Sequence, residues 1–282
     1  MSQTTAQQKS AGAQQCGTNQ NSSVTGDLRL HEFRSRVFHN VRLLRVWLPS
    51  CYDDPGNERG YPVLYLNDGQ NLFDRTTAHT GIEWQADETA DRLIREQKIP
   101  PMIIVGIDNA QKDRLKEYLP YRSFSPPVLR PQGKKYPDFL LREVMPFVQK
   151  NYRTAKVPEH TGLGGSSLGA SISLYTAMAV PVFGRLLLES PSLSISNRQL
   201  LRDSRHFRDW PDRVFLAIGT KETGRKDKDQ EVVDDVSEFS KILRHAGLSD
   251  RRLLLKIDEG AIHSESAWAS RLPEALTFLF GR

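Results

Sequence analysis

Two stretches near the start of the chain, "LRLHEFRSRVF" from Leu28 and "VRLLRVWLP" from Val41, alternate apolar and polar positions, with His39-Asn40 between them. Period-two alternation predicts an antiparallel hairpin with one covered face. The pattern then changes to short, almost continuous apolar runs: "YPVLYLND", "PMIIVGID", "TGLGGSS", "GRLLLESPS", "DRVFLAIGT" and "RRLLLKIDEG". Such runs suit strands buried on both faces of a parallel sheet. Val41–Leu48 and Arg213–Ile218 carry the pattern most clearly. "TGLGG" has poor β propensity and is read as a strand because its neighbours demand one.

Helical periodicity fills the intervals. Ala86, Ala90, Leu93 and Ile94 share one face of a first helix, and "PDFLLREVMPFVQKNY" forms a second. "LGASISLYTAMAV" stops at Pro181, "QEVVDDVSEFSKILRHAG" ends at Gly247, and "WASRLPEALTFLF" closes the chain. Alternating strands and helices imply right-handed crossovers and a mostly parallel, doubly wound α/β sheet. Ligands then belong at the C-terminal ends of the strands.

Composition narrows this picture only at the edges. A length of 282 residues suits one large α/β domain, and no run approaches 18 apolar residues, so no membrane-spanning segment is expected. Residues 1–26 are rich in Gln, Ser, Thr, Gly and Asn, with no apolar core of signal-peptide length. They read as a disordered tail ahead of a domain over 27–282, and the whole as cytoplasmic. Two cysteines, Cys16 and Cys51, do not read as a disulfide framework. The net charge of +5 is dispersed among acids, which reads as solvated surface rather than a nucleic-acid site.

The candidate chemistry begins at "GSSLG", where Ser167 lies between Gly165 and Gly169 and strand gives way to helix. A serine on such an elbow projects its hydroxyl above the sheet, and small neighbours avoid collisions with adjacent elements. A neutral hydroxyl needs a base to take its proton and a third group to orient that base. In a sheet of this kind the chain order is serine, acid, histidine. His263, in "DEGAIHSESAW", is the histidine that follows the last strand. Glu222, in "AIGTKETG", stands beyond the strand Arg213–Ile218, with Asp227 and Asp229 as rivals in the same loop. Backbone amides of Leu168 and Gln70 are the expected oxyanion donors. Phe73, Trp84, Tyr118, Tyr121 and Trp268 are expected around the mouth. Arg114 and Glu117, in the long connection "DRLKEYLPYRSFSPP", are further candidates for substrate contact.

"YPVLYLNDGQNLFD", "GSSLGA", "ESPSL" and "GAIHSESAW" together resemble the esterase branch of the α/β-hydrolases, from about Leu28 to the C-terminus. Enterochelin-type, feruloyl and acetyl-xylan esterases, S-formylglutathione hydrolases and mycolyltransferases belong to that branch. The resemblance implies an α/β-hydrolase fold, Ser167 as nucleophile, His263 as base and Glu222 as acid. It also implies a small-molecule ester as substrate, with no metal or cofactor. Ala170 stands where the family often has a second glycine. An acyltransferase on the same residues, or a non-catalytic binding protein on the same fold, are the alternative readings.

Overall fold

The protein is described by a computed structural model that covers residues 22–54 and 60–281. The chain runs β1 (Asp27–Arg34), β2 (Val41–Leu48), β3 (Val63–Asn67), α1 (Ala86–Arg95), β4 (Ile103–Ile107) and α2 (Arg114–Tyr118). A small ribbon of β5 (Ser123–Phe124) and β6 (Pro127–Val128) leads to α3 (Tyr136–Phe139), a π-turn at Leu140–Val144, and α4 (Met145–Asn151). Then come β7 (Thr161–Ser166), α5 (Leu168–Ala179), β8 (Arg185–Glu189), α6 (Ile195–Ser204), β9 (Arg213–Lys221), α7 (Lys226–His245), β10 (Leu253–Ile262) and α8 (Glu265–Phe280).

All strands but the ribbon join one sheet in the order β1-β2-β4-β3-β7-β8-β9-β10. The β1–β2 hairpin is antiparallel, as its alternation predicts, and β2 is also antiparallel to β4; every later pairing is parallel. One face packs a core that includes Tyr65, Leu163, Ile172, Leu216 and Phe239, and the other includes Leu66, Leu187, Phe215, Leu272 and Leu276. Burial on both faces explains why the central strands carry apolar runs without alternation. This is the α/β-hydrolase architecture that the resemblance implies.

The weak strand "TGLGG" is β7, the middle of the sheet, where all six residues are buried. Packing explains its glycines better than propensity does. A Cβ on Gly164 would come within 2.6 Å of the Leu187 carbonyl oxygen and 2.7 Å of Leu187 Cβ. A Cβ on Gly162 would meet Leu64 Cδ1 at 2.8 Å. Close approach by neighbouring strands removes the room for side chains, so tertiary packing overrides local preference here.

Other differences are local. Two helices beyond those read from periodicity appear, α2 and α6, and the last helix starts at Glu265 instead of Trp268. Ser264 supplies the reason, since its side chain accepts a hydrogen bond from the Ala267 amide and caps the first turn. Of the expected tail, residues 1–21 lie outside the described residues. Residues 22–26 follow a path fixed by hydrogen bonds: the Thr25 amide donates to Asp87 Oδ2 at 2.5 Å, and Trp47 Nε1 donates to the Thr25 carbonyl at 2.8 Å. Among the described residues, no helix is long and apolar enough to cross a membrane.

Gly164→Ala tests the packing account. Forcing a methyl against the β8 backbone should cost about 1–3 kcal/mol, with the melting midpoint falling roughly 2–4 °C per kcal/mol. An unchanged midpoint in a thermal melt would refute it.

Candidate active site

Ser167 sits between β7 and α5 with φ 55° and ψ −124°, a conformation that L-residues rarely adopt. Its amide donates to the Glu189 carbonyl on β8 at 2.8 Å, which ties the turn to the neighbouring strand. The glycines on either side leave space for it. A Cβ on Gly169 would lie 2.9 Å from Asp68 Oδ2 and 3.1 Å from Asn67 Cβ, and a Cβ on Gly165 would be 3.0 Å from the Gly169 carbonyl carbon. The side chain therefore stands at the N-terminus of α5, where unpaired amides favour negative charge. In the structure its hydroxyl rests against Ser192 Oγ at 3.3 Å.

Glu222 directly follows β9, which runs three residues further than the sequence pattern suggests. Its Oε2 is hydrogen-bonded to His263 Nδ1, so among the three candidate acids it is the one that meets this ring. Asp229 instead accepts from the Thr223 amide and hydroxyl at 2.6 and 2.7 Å, and Asp227 pairs with Arg225 at 3.2 Å. Burial pushes the Glu222 carboxyl up, but hydrogen bonds from His263, Ser190 and the Gly219 amide outweigh it and hold it below its ordinary value. Oε1 takes two of those bonds, from Ser190 Oγ at 2.7 Å and Gly219 N at 2.6 Å.

The histidine is brought there by an irregularity. β10 pairs with β9 in parallel as far as Asp258↔Gly219, after which the register shifts and Ile262 faces Lys221. Regular pairing would have set Ala261 opposite Glu222; the shift delivers His263. Its ring also packs edge-on against Trp268, with centroids 5.0 Å apart at 88°. Trp268 Nε1 donates to Ser190 Oγ at 3.1 Å, which closes a ring of contacts through Ser190, Glu222, His263 and Trp268. Behind it, Arg271 forms a buried ion pair with Glu189 at 2.7 Å and reaches Asp258 at 3.1 Å.

Ser167 and His263 both line a cavity of about 390 Å³, together with Gln70, Asn71, Asn109, Arg114 and Trp268, among others. The amides of Gln70 and Leu168 have no hydrogen-bond partner among the described residues. Gln70's side-chain oxygen accepts from the Asn109 amide at 3.2 Å. Arg114 clamps Asp68 with Nε at 2.6 Å and Nη2 at 2.8 Å, and Asn109 Nδ2 reaches the same carboxylate at 2.7 Å.

Of the residues expected at the mouth, Arg114 and Trp268 line the cavity, whereas Phe73, Trp84, Glu117, Tyr118 and Tyr121 do not. Phe73, Trp84 and Tyr118 are core side chains. Glu117 is 2% exposed and pairs with buried Arg42 at 2.7 Å, while Asn40 Nδ2 donates to its other oxygen at 2.6 Å. A charged residue in a long connection looks solvated in sequence; here a buried partner takes it inward. Sequence reading missed Asp68, Asn71, His79, Asn109, Gln111 and Glu265 on the cavity wall. Position was the available signal for Asp68 and Asn109, which follow the C-terminal ends of β3 and β4. No group of three or more His, Cys, Asp or Glu among the described residues is placed to hold a metal ion.

Known proteins resemble the chain in sequence and in fold. The Bacillus subtilis protein YbbA is 24% identical over 265 residues, which span 92% of this chain and 98% of that protein. Ferri-bacillibactin esterase BesA, also from Bacillus subtilis, is 23% identical over 216 residues, or 69% of this chain and 71% of BesA. Among solved structures, siderophore hydrolase EstB from Aspergillus nidulans superposes with a TM-score of 0.70 at 17% identity, covering 95% of this chain and 98% of EstB. At that identity the likeness is one of fold. The family described as "Putative esterase" matches residues 35–279, and the chain therefore belongs to this esterase family of carboxylic ester hydrolases.

Proposed function

We propose that the protein is a serine esterase that works through an acyl-enzyme, with Ser167 as nucleophile, His263 as general base and Glu222 as the orienting acid. The observation that carries this reading is the Glu222–His263 pair, which lines a cavity of about 250 Å³ together with a serine held on a left-handed elbow. With the carboxylate at Nδ1, the neutral ring keeps its proton there and offers Nε2 as the base. Ser167 Oγ gives its proton to Nε2 as it bonds to the ester carbonyl carbon. The amides of Leu168 and Gln70 then receive the developing oxyanion, and removing one such donor typically costs about 3–4 kcal/mol. His263 passes the proton to the departing alcohol, then takes one from water as that water attacks the acyl-enzyme. The Ser167 hydroxyl must turn from Ser192 for this, and such contacts commonly tighten only with substrate in place.

Wild-type protein should be labelled by a fluorophosphonate probe and Ser167→Ala should not, with p-nitrophenyl ester turnover reduced about 10⁴-fold or more. Equal labelling of both would overturn the reading. The acid is assigned by a second pair of variants. Glu222→Gln should lower kcat by about 10⁴-fold, whereas Asp227→Asn should leave it unchanged, as measured by steady-state kinetics.

Ser190→Ala removes one of the bonds that keep Glu222 ionised, at a cost of about 1.5–3 kcal/mol. A depressed carboxylate contributes stability above its unfolded value of about 4.3, and that contribution fades as pH falls through the folded value. Urea unfolding should therefore separate wild type from Ser190→Ala at pH 7, and the two should converge as the medium is acidified below the ordinary carboxylate range. A gap independent of pH would show that Ser190 acts only through packing.

A further inference from the structure

Two cavities meet at the serine, and their walls differ in kind. The larger, about 390 Å³, is lined by hydrogen-bonding side chains, with Trp268 as the one apolar member. The smaller, about 250 Å³, also borders Ser167 and His263, and Pro191, Ile195, Ile218 and Val232 give it an apolar stretch of wall beside Ser190, Ser192, Ser194, Glu222 and Thr223. Drug-sized pockets run from roughly 300 to 1,000 Å³, and at about 30 Å³ per small group the smaller space suits a short acyl chain and nothing as large as a drug-sized ligand.

We propose that the smaller cavity is an acyl chamber for short apolar acyl groups, and that the larger one holds a polar, hydrogen-bonding alcohol. This rests on the serine-esterase reading. Chemistry decides which half goes where. When the Ser167 Oγ–carbonyl bond forms, the bond from that carbon to the alcohol oxygen breaks, and the alcohol leaves carrying the proton from His263. Its place must then admit the water that splits the acyl-enzyme. The larger cavity, with free donors such as the Gln70 side-chain amide, suits an oxygen-rich leaving group and afterwards the water. The acyl group stays bonded to Ser167 throughout, and burying it against Ile195, Ile218 and Val232 keeps its apolar surface from that water.

Val232, half-buried on α7, lines the chamber and lies outside the proposed triad. The test compares p-nitrophenyl acetate, butyrate and hexanoate, and then glyceryl butyrate, with wild type, Val232→Trp and Val232→Ala. Filling the chamber should lower the butyrate-to-acetate ratio of kcat/KM by about tenfold, the low end of what one or two methylenes are worth in an apolar pocket. Thermal melts matched to wild type should show that each variant is folded, and acetate serves as the reference substrate in the ratio. Val232→Ala should shift preference toward hexanoate, and glyceryl butyrate should show the same Val232 dependence as p-nitrophenyl butyrate. Ratios that ignore both substitutions, or that follow the alcohol instead of the acyl group, overturn the chamber assignment alone. A wild type inert to every ester and to the fluorophosphonate probe overturns the serine-esterase reading, and the chamber with it.

Discussion

The left-handed backbone at Ser167 is the constraint on which the rest of the site depends. An L-residue at φ 55° and ψ −124° is costly, of order 1–3 kcal/mol, and persists only where its surroundings hold it. Here they do so from two sides. β8 accepts the Ser167 amide at 2.8 Å, and the glycines at 165 and 169 let α5 and β3 approach closer than any Cβ would permit. The strand feeding the elbow shares the same crowding, so β7 is glycine-rich for the reason that the elbow is.

Around that turn, the groups proposed for catalysis are positioned by contacts that themselves lie outside the reacting atoms. Glu222 has one oxygen for His263 and the other saturated by Ser190 and Gly219, so its carboxylate has little freedom to rotate away. Gly219 has to be glycine: a Cβ there would meet the Ala261 carbonyl oxygen at 2.2 Å. The same crowding marks where β10 breaks register with β9 and carries His263 into place. Acid, base and strand irregularity are one piece of packing.

Charged residues divide sharply according to what lies beside them. Arg114 and Glu117 are three positions apart on one short helix, yet Arg114 faces the cavity and clamps Asp68, while Glu117 turns into the core and meets Arg42. Removing one partner of such a buried pair leaves an uncompensated charge, so these pairs fix local geometry more strongly than their sequence neighbourhood suggests. The polar wall of the larger cavity is built the same way. Asn109 links Asp68 and Gln70, donating to the one through its side chain and to the other through its backbone amide.

The order along the chain of the eight sheet strands, the hairpin at the start and the elbow serine were all legible in the sequence, because each rests on local periodicity or on a few adjacent residues. So were His263 and Glu222, since chain order along a doubly wound sheet restricts where an acid and a histidine can return to the strand ends. What the sequence could not reveal is orientation. Whether Trp84 or Trp268 faces the cavity, whether Glu117 or Arg114 reaches it, and that a register shift sets His263 instead of Ala261 beside Glu222, all depend on neighbours distant along the chain. Burial and pairing of a side chain are settled by what packs against it in three dimensions, and only the tertiary structure decides that.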